Sequence, residues 1–208
     1  AAPSLRADLI SRIGERAYRL LYSLVAVVAM VWLITAWRDA PLHPLWATGA
    51  VVRHLALTLM PLAFLLVVCA VTAANPTVLG QKPDPDAASP AAGIIRVTRH
   101  PFMWGVALWA LLHLLANGDA ASVLFFGSFI VLAMVGTWRI DTRRTRENAS
   151  GWGVFLQATS NLPFAAIVER RQRLVVGEIG LWRAALALGL YVVFFWLHPW
   201  LFGVSPLG

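Results

Sequence analysis

The stretch TRHPFMWGVALWALLHLL, residues Thr98–Leu115, joins an Arg-His-Pro triplet to an apolar run that contains a second histidine, His113. Proline favours the first turn of a helix, which predicts a helix that begins near Pro101. An imidazole inside such a helix needs a hydrogen-bond partner or a ligand, because an unpaired polar group away from water is costly.

The composition of the whole chain places this helix in a lipid bilayer. Hydrophobic residues make up 59% of the 208 residues, charged residues only 13%, and the mean hydropathy is +0.70. These values exclude an ordinary soluble domain of this length. The predicted fold class is all-α, a polytopic integral membrane helix bundle. The single cysteine, Cys69, excludes a disulfide framework and a multi-cysteine metal site.

Five stretches are apolar enough to cross a hydrocarbon core of ~30 Å, which needs ~20 residues of helix. One of them, Phe102–Ala116, is short unless its helix begins near Ile94 or Thr98. A further apolar piece, Trp152–Val168, is interrupted by glycine and proline, and we expect a membrane-surface or re-entrant segment there. The four longer predicted spans are Ala17–Trp37, His54–Ala74, Ala120–Trp138 and Gly180–Leu197.

Basic residues are distributed unequally between the two ends of these spans. Of the 17 lysines and arginines, only Arg38 and Arg53 fall on the side opposite the N-terminus, which leaves 15 on the N-terminal side. The positive-inside rule makes that side cytoplasmic, in an inner (cytoplasmic) membrane. The net charge of +7 then reflects orientation and contact with anionic lipid, and it does not indicate nucleic acid as a partner.

Residues 1–208 are interpreted as one membrane domain. Within it, residues 75–93 are predicted to form an irregular cytoplasmic loop, and residues 139–179 a basic cytoplasmic or re-entrant segment. The fourth span is expected to continue into solvent as a charged helix that stops around Asn148 and Gly151. Because the chain starts without methionine, we expect a further helix upstream, which would bring five spans to six in the full protein.

His113 is the strongest candidate for chemistry, because an ionisable residue within a span is a functional hypothesis by default. Imidazole is a common ligand of haem iron, although a hydrogen bond to another helix would also explain His113. Gly105 and Ala110 lie on the same helix face, so a planar cofactor or a neighbouring helix could approach closely. His54 is a weaker candidate, since a histidine at a helix start can simply face the interface. His100 lies 13 residues before His113, about 20 Å along a helix, and cannot share a ligand with it.

The Arg99-His100-Pro101 triplet has two explanations. In the structural one, proline opens the helix, Thr98 or His100 caps it, and Arg99 meets lipid phosphates. In the functional one, Arg96 or Arg99 lines a polar pocket for an anionic group, together with the basic tail of the fourth span and the Glu169–Arg173 cluster. His198, which precedes a proline at the end of the last span, is expected to lie near the lipid headgroups.

Several motifs, in the right order along nearly the whole chain, resemble the NnrU family, and in particular its 15-cis-ζ-carotene isomerase branch. The Arg-His-Pro triplet alone is less specific, because membrane methyltransferases also carry it at a helix entrance. The matching motifs are IGERA at Ile13–Ala17, RVTRHP at Arg96–Pro101, His113, Arg143-Arg144, PFAAI at Pro163–Ile167 with ERRQ after it, and His198-Pro199.

The resemblance implies a haem b held between the helices, with His113 as the residue that matches an axial ligand. It makes His54 a second ligand or a pocket residue, and Ala110 and Gly105 the surface against the macrocycle. Two positions depart from the branch. A second ligand histidine would fall just before Ala1, and a cysteine three residues before the ligand histidine is Ala110 here.

The resemblance further implies redox-gated cis–trans isomerisation of an apolar polyene that enters from the lipid bilayer. Two other functions stay open. One is a non-catalytic NnrU-type haem protein that supports nitrite or nitric oxide reduction and binds a small gas ligand. The other is a membrane methyltransferase-like protein, in which Arg99 and His100 would be the cofactor-binding residues. Such enzymes usually carry an acidic pair in the later cytoplasmic segment, where only Glu147 appears, beside Asn148.

Overall fold

The computed structural model describes residues 3–78, 81, 89–147 and 151–207, and the named elements in these ranges are all helical. This confirms the predicted all-α fold class. Two 3-10 turns, Gly93–Arg96 and Val176–Glu178, lie between the helices. The helices are α1 (Pro3–Ile13), α2 (Glu15–Arg38), α3 (Ala50–Thr72), α4 (Pro101–Asn117), α5 (Ala120–Arg146), α6 (Trp152–Ala158), α7 (Ala165–Val168) and α8 (Leu181–Phe202).

Four helices, α2, α3, α5 and α8, are long and apolar enough to cross a membrane, and α4 is a shorter apolar helix. Each coincides with one of the five predicted spans to within a few residues, except that α5 continues to Arg146 as a charged extension. The protein is therefore a helical membrane protein. The side on which each end lies stays a prediction, as does a sixth helix.

The start of α4 is set by Pro101. Pro101 occupies the first turn, and His100 before it has φ −118° and ψ 54°, outside the helical region. Proline disfavours the helical conformation in the residue that precedes it, so the apolar run cannot extend backwards as one helix. The helix therefore begins at Pro101, as the proline predicts, and not near Ile94 or Thr98, where a span of full length would have to begin. The 17 residues of α4 measure about 25 Å in length.

The chain divides into two compact units. The first, Ala1–His43, contains α1 and α2, which meet at Gly14 with a φ of 80°. The second, Pro44–Gly208, contains the other helices and all the polar contacts described below. The prediction of one domain over residues 1–208 stays a prediction.

In the second unit α4 packs between α3 and α5, and α8 packs against α3. Gly105 makes the close approach of α4 to α3 possible. A Cβ atom there would lie 2.8 Å from Cγ2 of Val67 and 3.1 Å from the carbonyl oxygen of Ala63. Small residues at helix contacts are a common means of close packing in membranes.

The interruption predicted within Trp152–Val168 is present, as two short helices, α6 and α7, separated by a loop. Phe164 in that loop has a φ of 66°. Trp152 and Phe155 of α6 are buried with Leu66 of α3 and with the Gly93–Arg96 turn. This segment therefore packs on the bundle at the end that carries most of the arginines, here called the basic end.

Candidate functional site: a basic-end network and a histidine pair

Polar side chains meet at two separate places along α4. The basic-end network consists of Thr98, Arg99, His100, Asp141 and Asn161, and the histidine pair consists of His113 and His198.

Asp141 of α5 is the acceptor at the centre of the basic-end network. Arg99 donates to its Oδ2 from Nε at 3.0 Å and from Nη2 at 2.8 Å. Nε2 of His100 lies 2.8 Å from Oδ1. Since an ionised carboxylate only accepts, Nε2 carries the proton. Both Arg99 and His100 are thus bound to Asp141 of α5, and Nδ1 of His100 is buried with no hydrogen-bond partner among the described residues.

Asn161, in the loop between α6 and α7, extends this network. Its backbone carbonyl oxygen accepts from Oγ1 of Thr98 at 2.6 Å and from Nε1 of Trp104 at 2.8 Å. Its Nδ2 donates to Oγ1 of Thr137 at 2.9 Å. The loop is therefore bound to both α4 and α5.

A surface pocket of about 470 Å³ lies beside this network and is lined in part by Arg99, Ser160 and Arg171. Both arginines are already paired, Arg99 with Asp141 and Arg171 with Glu169. The predicted pocket for an anionic group therefore has a location, but the charge of each arginine is balanced by a carboxylate. Its use for an anion stays a prediction.

His113 lies near the other end of α4, and the hydrogen-bond partner of its Nδ1 shows which ring nitrogen carries the hydrogen. Nδ1 lies 2.9 Å from the carbonyl oxygen of Trp109. A carbonyl can only accept, so Nδ1 carries the hydrogen and Nε2 of the neutral ring keeps its lone pair. The rings of Trp109 and Phe126 each lie with their centres 5.0 Å from that of His113. His113 is thus a half-buried imidazole in aromatic surroundings with Nε2 available to a ligand.

His198 of α8 lies next to His113, which the sequence did not indicate. Their ring centres are 6.4 Å apart and their planes differ by 17°. Nδ1 of His198 lies 2.8 Å from the carbonyl oxygen of Val204, so its Nε2 keeps a lone pair by the same argument. His54 lies near the start of α3, and His113 and His198 lie near the ends of α4 and α8, so the alternating direction of the spans puts all three at one end. Which two meet depends on packing.

The structure places the other predicted site residues elsewhere. His54 is exposed, with Nδ1 2.6 Å from the carbonyl oxygen of Ala50, and is not among the ring neighbours of His113 in the described chain. Ala110 is fully buried, and Gly105 faces α3. The sequence allowed either a planar cofactor or a neighbouring helix to lie close to the small residues of α4, and at Gly105 the close neighbour is helix α3. The assignment of His54, Ala110, Gly105, Arg99 and His100 to a cofactor stays a prediction.

The set of donors suits one kind of metal centre better than another. Within residues 3–78, 81, 89–147 and 151–207, no group of three or more His, Cys, Asp and Glu side chains could hold a metal ion. A bound zinc ion usually needs three or four protein ligands. Haem iron takes four nitrogens from its macrocycle and needs only one or two from the protein. The histidine pair therefore fits haem.

Comparison with known proteins agrees with the resemblance in the motifs. The chain is 38% identical over 82 residues to "15-cis-zeta-carotene isomerase, chloroplastic" of Zea mays, and 36% identical over 80 residues to the protein of that name in Arabidopsis thaliana. These matches cover 39% and 38% of this chain, and 22% of the length of each relative. No solved structure matches the chain. The model of the family described as NnrU protein matches residues 1–206, and the chain therefore belongs to the NnrU family.

Proposed function

We propose that this membrane protein binds haem b through His113 and isomerises a cis-polyene of the carotenoid class. The names of the two isomerase relatives support the reaction and the substrate class. The hydrogen bond from Nδ1 of His113 to the carbonyl oxygen of Trp109, on a half-buried ring that packs against Trp109 and Phe126, carries the cofactor assignment. A metal-binding histidine commonly donates its other ring N–H to a carbonyl in this way, which holds the tautomer and the ring orientation.

The surroundings of His113 suit an apolar reactant. Trp109 and Phe126 pack against its ring, and α4 and α5 expose apolar side chains such as Leu111 and Leu124 to the lipid. A polyene could therefore reach the site laterally without crossing water. When bound, haem would supply an iron at which a double bond of the polyene can interact. The protein would hold the iron through His113 and exclude water with the two aromatic rings.

A non-catalytic haem protein that supports nitrite or nitric oxide reduction is the second candidate, and Ala110 favours it. Ala110 stands where the isomerase branch carries a cysteine that is thought to exchange onto the iron. It is fully buried, and a methyl group cannot be a ligand. This protein would bind nitric oxide on its haem but would not convert a polyene.

Both parts of the proposal can be tested on the full-length protein purified in detergent. Absorption spectra before and after reduction should show a Soret band with sharp α and β bands. His113→Ala should lose the haem, whereas His54→Ala, the matched control, should retain it. Full haem content in His113→Ala would disprove the cofactor assignment.

The reaction needs its own assay. Reduced protein should convert the cis central double bond of 15-cis-ζ-carotene to the trans form, and oxidised protein should not. Chromatography separates the two isomers and measures the conversion. A haem-loaded protein that binds nitric oxide but leaves the polyene unchanged would favour the second candidate.

A further inference from the structure

We infer that His198 is the second axial ligand at the His113 site, an assignment that rests on the proposed haem. It differs from the expectation that His54, or a histidine upstream of Ala1, fills this role. The first observation is placement. His113 on α4 and His198 on α8 have ring centres 6.4 Å apart and planes within 17° of parallel.

The second observation is that both rings present the same nitrogen. Nδ1 of His113 donates to the carbonyl oxygen of Trp109, and Nδ1 of His198 donates to that of Val204. Each ring is thereby held in the tautomer whose Nε2 has a free lone pair. Two imidazoles prepared in this way, on different helices, are a suitable pair for one iron.

The third observation is the distance between the rings and their surroundings. Two metal–nitrogen bonds of about 2 Å each, with about 1 Å more from each Nε2 to its ring centre, add up to about 6 Å, which is close to the 6.4 Å between the two ring centres. The ring centre of Phe126 lies 5.0 Å from that of His113, and the ring centre of Phe202 lies 4.8 Å from that of His198. These rings pack against the two imidazoles, and the helices that carry the imidazoles, α4 and α8, each pack against α3.

The position of His198 is held by contacts that do not involve His113. Tyr191 donates to the carbonyl oxygen of Leu57 at 3.1 Å, and Arg53 donates to the carbonyl oxygen of Leu207. Both bonds join α8 and the residues after it to α3. His198 is therefore placed beside His113 by the packing of α8, whereas His54 points an exposed ring elsewhere.

The test is the spin state of the iron in the full-length protein, measured by electron paramagnetic resonance and absorption. The oxidised wild type should be low-spin and six-coordinate. His198→Ala should retain haem through His113 but become high-spin, and added imidazole should restore the low-spin signal. His54→Ala should remain like the wild type. A merely structural role for His198 would not produce a loss of the low-spin signal that imidazole reverses.

The outcomes separate this inference from the proposed function. A low-spin signal retained in His198→Ala, or a high-spin wild type, would overturn the role of His198 and leave His113 in place. Haem retained at the wild-type level in His113→Ala would overturn both. If His198→Ala loses haem altogether, His198→Met decides, because methionine is itself an axial ligand that raises the reduction potential. A raised potential supports the assignment, and an unchanged potential contradicts it.

Discussion

The guanidinium of Arg99 donates two hydrogen bonds to one oxygen of Asp141, at 2.8 and 3.0 Å. The two residues are 42 positions apart, and their pairing joins the entrance of α4 to the charged end of α5. Only 14% of the Arg99 side chain and 18% of the Asp141 side chain are exposed, so this ion pair is largely removed from solvent. The Arg-His-Pro triplet thus connects α4 to α5, at a place about 20 Å along α4 from the histidine pair.

Asp141→Asn should destabilise the protein strongly, because it leaves the charge of Arg99 without its partner in a mostly buried position. Breaking a buried pair costs up to about 3–5 kcal/mol. Arg143→Gln is the matched control, since the Arg143–Glu147 pair is exposed and worth less than about 1 kcal/mol. Thermal unfolding in detergent would compare the two variants. Equal melting temperatures would show that the Asp141 network does not stabilise the bundle.

Gly105→Ala should lower the stability by about 1–3 kcal/mol, the usual cost of overpacking. The new methyl group would meet Cγ2 of Val67 at 2.8 Å, where α4 and α3 are in contact. Gly189→Ala on α8 is the control, because a Cβ there meets nothing within 4 Å. Thermal unfolding and haem content should be measured together. Loss of haem with unchanged stability would instead support the macrocycle contact predicted from the sequence.

The ion pair between Arg96 and Glu178 should persist in mild acid. Hydrogen bonds from Arg96 and from the backbone N–H of Gly93 lower the pKa of Glu178 from 4.5 to about 2. Because the pKa is lowered in the folded protein, the stabilisation is complete above pH 4.5 and is lost as the pH falls towards 2. Amide exchange in the Gly93–Arg96 turn, compared between the wild type and Glu178→Gln, would measure this. A difference that vanishes near pH 4.5 would contradict the lowered pKa.

Arg144→Lys should loosen the segment that follows α3. Nη2 of Arg144 donates to the carbonyl oxygens of Val78 at 3.1 Å and Gln81 at 3.0 Å, and the side chain is 9% exposed. A lysine cannot reproduce the planar fork of a guanidinium. Amide exchange at residues 75–78 should rise in this variant and stay unchanged in Arg143→Lys, whose side chain is exposed. Equal exchange in both variants would show that the segment does not depend on Arg144.

The positions of the helices could be predicted because hydropathy and helix-breaking residues are local properties. The five apolar stretches correspond to α2, α3, α4, α5 and α8. The break between α6 and α7 also followed from Pro163 and the polar run Thr159-Ser160-Asn161, whereas Gly153 lies within α6. The start of α4 also followed from a local rule, because Pro101 restricts His100 before it, and this rule leaves α4 shorter than a full-length span.

The candidate site could be predicted only in part, because a sequence identifies an unusual residue but does not show which distant residue it contacts. His113 stood out as a polar residue in an apolar helix. His198 looked like a terminal histidine near the headgroups, and Asp141 looked like one charge in a basic helical extension. Each acquires its role from a neighbour distant in the chain.

The sequence by itself determined that this is a helical membrane protein of the NnrU family, because composition, apolar runs and short motifs can be read without coordinates. The tertiary structure decided which side chains meet. The rotation of each helix about its axis and its packing partners bring His198, rather than His54, to His113. The same packing turns Gly105 towards α3 and pairs Arg99 with Asp141. Those contacts depend on how whole helices fit together, which no local pattern specifies.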